Sequence, residues 1–197
     1  MSTEPNIETH PLEPFLPPNA RLLMMGSFPP PKVRWKMEFY YPNYQNDMWK
    51  IFGLAFFDNK EHFLDIANKN FKEQQIRDFL MEKGIAIFDT AYQIIRLKGN
   101  ASDKFLHIAQ ATDLNKLLQQ IPECNSIMTT GDKATDTLML SMPEHTEKPL
   151  IGHASKTYFA ERELTLYRMP SSSRAYPLTL EKKAEAYTQL FKEIGLL

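Results

Sequence analysis

Hydrophobic residues along the chain fall into short continuous runs, separated by longer stretches in which apolar and polar positions alternate with a helical period. Four of these runs are five or six residues long and lack the strict alternation of a half-exposed strand. Such runs are typical of parallel strands that are covered on both faces. They predict strands at residues 21–25 (RLLMM), 85–89 (IAIFD), 126–130 (SIMTT) and 164–169 (LTLYRM).

Helical patterns fill most of the intervals between the predicted strands. The clearest covers residues 70–84, with Asn70 at the N-cap position, Glu73 three residues later as in a capping box, and Gly84 at the end. Alternation of strands and helices predicts an α/β fold with a parallel sheet and helices on both faces. Further helices are predicted at residues 48–53, 112–122 with a cap at Thr112 or Asp113, 132–140 beginning at Asp132, and 179–195 with a cap at Thr179.

Size and charge limit the possible functions. A chain of 197 residues with 43% hydrophobic residues suits one domain, residues 1–197. The 23 basic and 24 acidic residues give a net charge of -1, so any contact with nucleic acid must come from a local patch. The first 20 residues are polar, acidic and proline-rich, which predicts an extended arm rather than a signal peptide. We therefore expect a cytoplasmic, monomeric protein that has no contact with a membrane.

Motifs for the common cofactors are missing from the sequence. There is no phosphate-binding Walker loop and no dinucleotide-binding glycine pattern among the seven glycines. A single cysteine, Cys124, excludes an internal disulfide and a cysteine-ligated zinc or iron–sulfur site. Since His107, His145 and His153 are isolated from other ligand residues, we expect neither a metal nor a cofactor.

The loops after the four strands carry the candidate chemistry, because ligands of open parallel sheets bind at the carboxyl ends of the strands. The longest of them, residues 26–53, combines three consecutive prolines, four basic residues and many aromatic residues. Simpler interpretations stay open. The FPPP segment fits a stiff polyproline turn, Asn46 or Asp47 fits the N-cap of the next helix, and the serines of residues 171–173 fit a polar turn.

Four segments in order resemble motifs of the uracil-DNA glycosylase superfamily. The segments GSFP (residues 26–29) and FYYPNYQNDMWKIF (39–52) resemble its first motif, closest to the hypoxanthine-DNA glycosylase-like and mismatch-specific branches. The segment GIAIFDTAYQIIR resembles the second strand with its base-pocket loop, SIMTTGDKA the third strand, and YRMPSSSRAYP the second motif. The resemblance implies a three-layer α/β/α sandwich with a four-stranded parallel sheet.

That resemblance also implies an activity. It implies a monofunctional DNA glycosylase of base-excision repair, which hydrolyses the N-glycosidic bond of uracil, hypoxanthine or xanthine after flipping the base out of DNA. Aromatic residues and cations in one loop suit this reaction. Two alternatives stay open: a nucleic-acid-binding protein of the same fold with weakened or lost catalysis, and a small-molecule nucleoside hydrolase. If Lys32, Arg34, Lys36, Lys133 and Arg174 converge on one face, the second alternative weakens.

The resemblance assigns a role to each candidate residue. Asn46 matches an asparagine proposed to orient the attacking water, and Asp47 is the alternative water-holding residue. Ser171 and Ser172, or their amide N–H groups, would stabilise the leaving base, because Met169 stands where several branches carry histidine or asparagine. The expected base-binding residues are Gly26, Ser27, Phe28, Tyr41 and Asp89. The expected DNA-binding residues are Lys32, Arg34, Lys36, Lys133, Ser173, Arg174 and Tyr176.

Two departures from the motifs affect specificity. Asp89 falls where many members carry an asparagine that reads the base edge, and an ionised carboxylate can only accept hydrogen bonds. A base that presents an N–H group, such as hypoxanthine or xanthine, would suit it. Pro30 stands where the first motif usually has glycine, which makes a close backbone approach to the substrate less expected there.

Overall fold

A central five-stranded sheet forms the middle of the molecule. The computed structural model describes residues 4–97 and 105–197. The strands are β1 (Ile7–Thr9), β2 (Leu22–Gly26), β3 (Leu64–Asp65), β4 (Asn70–Phe71), β5 (Ile85–Asp89), β6 (Ala91–Arg96), β7 (Leu106–Ala111), β8 (Ser126–Thr130), β9 (Ala154–Phe159) and β10 (Arg162–Met169). The helices are α1 (Met48–Phe57), α2 (Glu73–Lys83), α3 (Leu114–Gln119), α4 (Asp132–Leu140) and α5 (Leu180–Glu193).

The central sheet has the order β5-β2-β8-β10-β9. Its first four strands are parallel and correspond to the four predicted apolar runs, with β5 and β8 matching them residue for residue. The prediction of a four-stranded, fully parallel sheet needs one correction. The sheet has a fifth strand, β9, which pairs antiparallel with β10 at the edge. Because half of the β9 side chains face solvent, no apolar run marks this strand in the sequence.

Helices α1, α2 and α5 pack together on one face of the sheet. Their phenylalanine rings make the contacts, with ring centroids of Phe52 and Phe191 5.2 Å apart and those of Phe56 and Phe79 4.8 Å apart. The crossover from β2 to β5 runs in the opposite direction across the sheet from those that lead to β8 and β10. Since such crossovers are right-handed, α3 and α4 lie on the opposite face.

A second sheet, of order β1-β6-β7, adjoins the end of β5. It is antiparallel, and its strand β1 comes from the predicted N-terminal arm. The arm also pairs with the central sheet through Phe15 and Ile87, whose backbone groups exchange two hydrogen bonds. The described residues of the arm therefore pack onto the domain and bring His10 into its interior, where it is 8% exposed.

One predicted helix cap is wrong, and three predicted helix ends are confirmed. Asn70 lies in β4, where its side-chain oxygen accepts from the Phe71 N–H, and α2 begins at Glu73 after Lys72 without a side-chain cap. Gly84 ends α2 in the left-handed conformation, with a φ of 72°. Asp113 and Thr179 cap α3 and α5 by accepting hydrogen bonds from N–H groups in the first turn. None of the described helices is long and apolar enough to cross a membrane.

Candidate active site

A cavity of about 820 Å³ opens at the carboxyl ends of β2, β5, β8 and β10. It lies where the topology of the sheet predicts a ligand site. Residues from four strand ends contribute to its lining, including Gly26 at the end of β2 and Phe28 after it, Asp89 at the end of β5, Lys133 after β8 and Ser172 after β10. The residues that the sequence predicts on four loops thus meet around one space.

The floor of the cavity is a cluster of polar atoms above Gly26. A Cβ atom at this position would lie 2.9 Å from Asp89 Oδ1, 3.2 Å from Tyr41 Oη and 3.6 Å from Thr130 Oγ1. The hydroxyl groups of Tyr41 and Thr130 are hydrogen-bonded at 3.1 Å. Tyr41 reaches this place from a backbone with a φ of 52°, in the left-handed region. The missing side chain of Gly26 is what allows the three polar groups to converge.

Asp89 is held by His10 from the N-terminal arm. Nε2 of His10 lies 2.7 Å from Asp89 Oδ2, and both side chains are buried. Nδ1 of His10 lies 3.1 Å from the Leu12 N–H and 3.2 Å from the Leu12 carbonyl oxygen, so the arm holds the ring from this side. Since a carboxylate only accepts hydrogen bonds, the Nε2–H of His10 donates to Oδ2, while Oδ1 lies beside Gly26 at the cavity floor. This pairing fixes the orientation of the carboxylate.

Aromatic side chains form the wall beside Asp89. Phe28 is half-buried, meets the His10 ring edge-on with centroids 5.2 Å apart, and has the Arg96 guanidinium 5.8 Å from its centroid. Tyr40 donates its hydroxyl proton to the Glu13 carbonyl at 2.8 Å. Burial, reinforced by the Asp89 carboxylate, raises the pKa of Tyr40 far above its ordinary value, so the phenol stays protonated. The Tyr40 ring therefore stays neutral and is tied to the N-terminal arm.

Asn46 and Asp47 lie at the beginning of α1 but have different surroundings. Asn46 lines the cavity, and its Oδ1 accepts from the Met48 N–H at 2.9 Å, so a capping contact and a place in the cavity coexist. Asp47 is 7% exposed and does not line the cavity. Its Oδ2 pairs with the Nζ of Lys183 on α5 at 3.0 Å. Of the two, only Asn46 is placed to touch a ligand.

This arrangement of sheet and loops is similar to that of a known protein. No family model matches the chain, and no curated protein matches it. A solution structure of a putative uracil DNA glycosylase from Methanosarcina acetivorans is similar, with a TM-score of 0.63 and 18% identity over 96% of this chain and 99% of that one. The chain has a uracil-DNA glycosylase-like fold. At this identity, the likeness establishes the fold alone.

Most of the predicted site residues line the cavity of this glycosylase-like fold. Ser171 and Ser172 line it from the loop after β10, whereas Met169, the last residue of β10, is buried and does not line it. Pro30 lines the cavity too, and its carbonyl accepts from the Trp35 indole at 2.7 Å. The other predicted residues in the lining are Gly26, Ser27, Phe28, Arg34, Tyr41, Asn46, Asp89, Lys133, Ser173, Arg174 and Tyr176.

The predicted cations divide into two groups. Arg34, Lys133 and Arg174 line the cavity, whereas Lys32 and Lys36 do not. Lys32 instead pairs with Glu38 at 2.9 Å on the surface. The convergence of five cations is therefore only partial. A further lysine, Lys50, lies near Arg174, and burial followed by the charge of Arg174 lowers its pKa.

Sequence reasoning missed three residues that contact predicted site residues through side-chain hydrogen bonds. His10 and Thr130 contact Asp89 and Tyr41 from the N-terminal arm and from the end of β8, and Lys183 contacts Asp47 from α5. Thr130 could have been identified from the sequence, because it is a polar residue at the end of the apolar run at residues 126–130. The pairings of His10 and Lys183 span 79 and 136 residues along the chain, and no local pattern records them.

The described residues offer no obvious metal site. Within residues 4–97 and 105–197, no three His, Cys, Asp or Glu side chains are grouped so that they could hold a metal ion. The acidic residues beside the cavity have other partners: Asp132 pairs with Arg168 and Asp136 with Lys148.

Proposed function

We propose that this protein is a monofunctional DNA glycosylase of base-excision repair, acting on uracil, hypoxanthine or xanthine in DNA. Within the uracil-DNA glycosylase superfamily, we place it nearest to the hypoxanthine-DNA glycosylase-like and mismatch-specific branches. One observation carries the proposal: a single cavity collects an amide, an oriented carboxylate, aromatic rings and hydroxyl groups from the ends of three strands, namely Asn46, Phe28 and Tyr41 after β2, Asp89 at the end of β5, and Ser171 with Ser172 after β10.

Asp89 accounts for the recognition of a deaminated base. Deamination converts a ring nitrogen with a lone pair, next to an amino group, into a ring N–H next to a carbonyl. The Oδ1 of Asp89 accepts a hydrogen bond from that N–H, whereas it repels the lone pair of the parent base. The hydroxyl groups of Tyr41 and Thr130, within hydrogen-bonding distance of each other, provide a donor for the new carbonyl.

Asn46 accounts for the positioning of the water. The Met48 N–H fixes its amide, and the second lone pair of Oδ1 and the NH₂ group remain to hold a water in the cavity. The water oxygen bonds to C1′ of a sugar with cationic character while the bond from C1′ to the base nitrogen breaks. The base leaves with the electron pair, and the water proton passes to solvent. An amide orients such a water but is too weakly basic to deprotonate it.

The leaving base carries negative charge on its ring and oxygen atoms. Donors in the loop after β10, from Ser171 and Ser172, stabilise that charge in the proposed reaction. Arg34, Lys133 and Arg174 at the cavity contact the phosphates beside the flipped nucleotide, together with Ser173 and Tyr176. Damaged DNA is thus the proposed partner, and the reaction needs no cofactor.

A base-release assay tests the proposal. Purified protein is incubated with oligonucleotides that carry uracil, hypoxanthine or xanthine, single-stranded and paired, and alkali-labile sites are measured. Asn46→Ala is expected to lower the rate by about 10²–10⁴-fold. Asn43→Ala is the matched control, because Asn43 also lines the cavity and its Oδ1 accepts from a backbone N–H two residues on. No release from any substrate would refute the proposal.

One observation favours a second candidate, a DNA-binding protein of this fold without catalysis. Met169 stands where several branches carry a histidine or asparagine, and its thioether has no proton to donate to a base oxygen. This candidate predicts tight binding to abasic or damaged DNA with no base release, unchanged by Asn46→Ala. The same assay, combined with a binding measurement at low salt, separates the two functions.

A further inference from the structure

The loop after β10, residues 170–174, is held from behind by two side chains of α5. Tyr187 Oη donates to the Pro170 carbonyl at 2.7 Å, and Lys183 Nζ donates to the Ser173 carbonyl at 2.8 Å. The two side chains lie four residues apart on the inner face of the helix and are buried, with exposures of 0% and 1%. Helix α5 thus fixes both ends of the loop.

Asp47, the residue before helix α1, holds the same loop in the middle. The Asp47 N–H donates to the Ser172 carbonyl at 2.9 Å, and the Asp47 carboxylate accepts from Lys183 at 3.0 Å. Because Asp47 directly follows Asn46, one buried ammonium group joins the segment that carries Asn46 to the loop after β10. A buried charge left without its partner is costly, which keeps the pair closed.

These contacts determine where the amide groups of the loop point. The peptide bonds are trans, so each N–H points away from the carbonyl of the residue before it. The carbonyls of Pro170 and Ser173 point toward α5, and the N–H groups of Ser171 and Arg174 consequently point away from α5. Both residues line the cavity, so these two amide groups lie beside it.

We propose that Lys183, Tyr187 and Asp47 are positioning residues that present the amide N–H groups of Ser171 and Arg174 to an anionic oxygen in the cavity. The inference rests on the proposed glycosylase function, for which the oxygen belongs to the leaving base or to a DNA phosphate. These oriented N–H groups take the place of a side-chain hydrogen-bond donor, which Met169 lacks. The Asp47–Lys183 pair also keeps Asn46 at a fixed distance from these donors.

Paired substitutions separate this role from a purely structural one. Lys183→Met leaves Asp47 unpaired and is expected to lower the Tm, and adding Asp47→Asn restores much of it because the buried charge is gone. The double variant is nevertheless expected to release base about 10–100-fold more slowly in single-turnover experiments, because the Ser173 carbonyl is no longer held by Lys183. Tyr187→Phe removes only the hydroxyl and is expected to slow the reaction similarly. Lys182→Met is the control, since this lysine is exposed on the same turn of α5.

Amide NMR tests the proposal without relying on catalysis. We expect the ¹⁵N–¹H resonances of Ser171 and Arg174 to shift when ligand is added to the wild type, and to shift far less in the double variant. A duplex with a tetrahydrofuran abasic analogue supplies phosphates without a base, and free hypoxanthine supplies a base oxygen without phosphate, so the two sources are distinguished.

Different results would overturn the two proposals. Shifts at these amides in a wild-type protein that releases no base would refute the glycosylase activity and retain the inference. A double variant that is as stable and as fast as the wild type, or the absence of shifts with both ligands, would overturn the inference.

Discussion

Gly26 is the residue whose size matters most for the cavity floor. Its place is surrounded by Asp89 Oδ1, Tyr41 Oη and Thr130 Oγ1, all within 3.6 Å of an added Cβ atom. Asp89 is held by His10, and Thr130 is the last residue of strand β8 in the central sheet, so neither residue can move away easily. Any side chain at this position therefore competes directly with the Asp89 carboxylate, which we propose to recognise the base.

We predict that Gly26→Ala largely abolishes base release while the protein still folds. The added methyl group would stand 2.9 Å from Asp89 Oδ1 and displace the carboxylate or the base edge. Overpacking of this kind costs about 1–3 kcal/mol of stability, which a domain of this size tolerates. Circular dichroism melting and the base-release assay measure the two effects. An alanine variant that releases base at the wild-type rate would contradict the proposed position of the substrate.

His10 is the second residue whose environment suggests a test. We predict that His10→Phe lowers the free energy of unfolding by about 1–3 kcal/mol, since the buried Asp89 carboxylate loses a donor. A phenylalanine ring can keep the packing against Phe88 and Phe28, so the lost hydrogen bonds dominate the effect. Urea denaturation measures it. His107→Phe, on the exposed side of β7, serves as the control, and equal stabilities of the two variants would argue against the His10–Asp89 contact.

Secondary-structure elements differ in how clearly the sequence specifies them. The parallel strands are continuous apolar runs because both faces are covered, and β5 and β8 were predictable residue for residue. Strand β9 was not, because it lies at the sheet edge and connects to β10 through Ala160 and Glu161, both with positive φ. Turns of this kind usually carry glycine or asparagine, and neither residue is present to signal it.

Helix α2 shows the same limit at its N-terminus. The spacing of Asn70 and Glu73 satisfies a capping box, but Asn70 pairs in β4, and Glu73 accepts from the Glu38 N–H and from Arg77 instead. These partners are distant along the chain or come from the next helical turn. Tertiary contacts thus override a local sequence pattern that has the spacing of a capping box.

The missing cap of α2 leads to a prediction about stability. Lys72 occupies the N-cap position with a ψ of 70°, close to the ψ of 87° at which Asp113 caps α3. Lys72→Ser is therefore expected to accept from an N–H of the first turn and to raise stability by about 0.5–1 kcal/mol. Urea midpoints measure the change, and Lys72→Ala removes the same side chain without adding an acceptor. Equal midpoints for the two variants would show that the backbone does not permit the cap.

At the scale of the whole molecule, the two sheets meet at the candidate site. Strand β5 ends at Asp89 on the cavity floor, and β6 begins two residues later and pairs with the arm that carries His10. The sequence predicted where the cavity lies, because the ends of parallel strands share an edge. It could not predict which residues support the site from behind, since His10 and Lys183 come from opposite ends of the chain.

The charge distribution of the whole molecule predicts a weak salt dependence of DNA binding. The net charge is -1, and three of the predicted cations, Arg34, Lys133 and Arg174, line the cavity. Each phosphate contact contributes about -0.9 to the slope of log K against log salt, so we expect a slope of about -3 or shallower. A much steeper slope would mean that DNA extends well beyond the cavity.

Single substitutions identify which basic residues contribute to that slope through phosphate contacts. Lys133→Ala is expected to make the slope shallower by about 1, since one phosphate contact is lost. Lys32→Ala is the control, because Lys32 lies outside the cavity lining and is paired with Glu38. Fluorescence anisotropy with an abasic duplex at several salt concentrations measures both. If Lys32→Ala changes the slope and Lys133→Ala does not, the DNA follows the turn at residues 32–36 rather than the cavity, and the proposed phosphate contact of Lys133 is wrong.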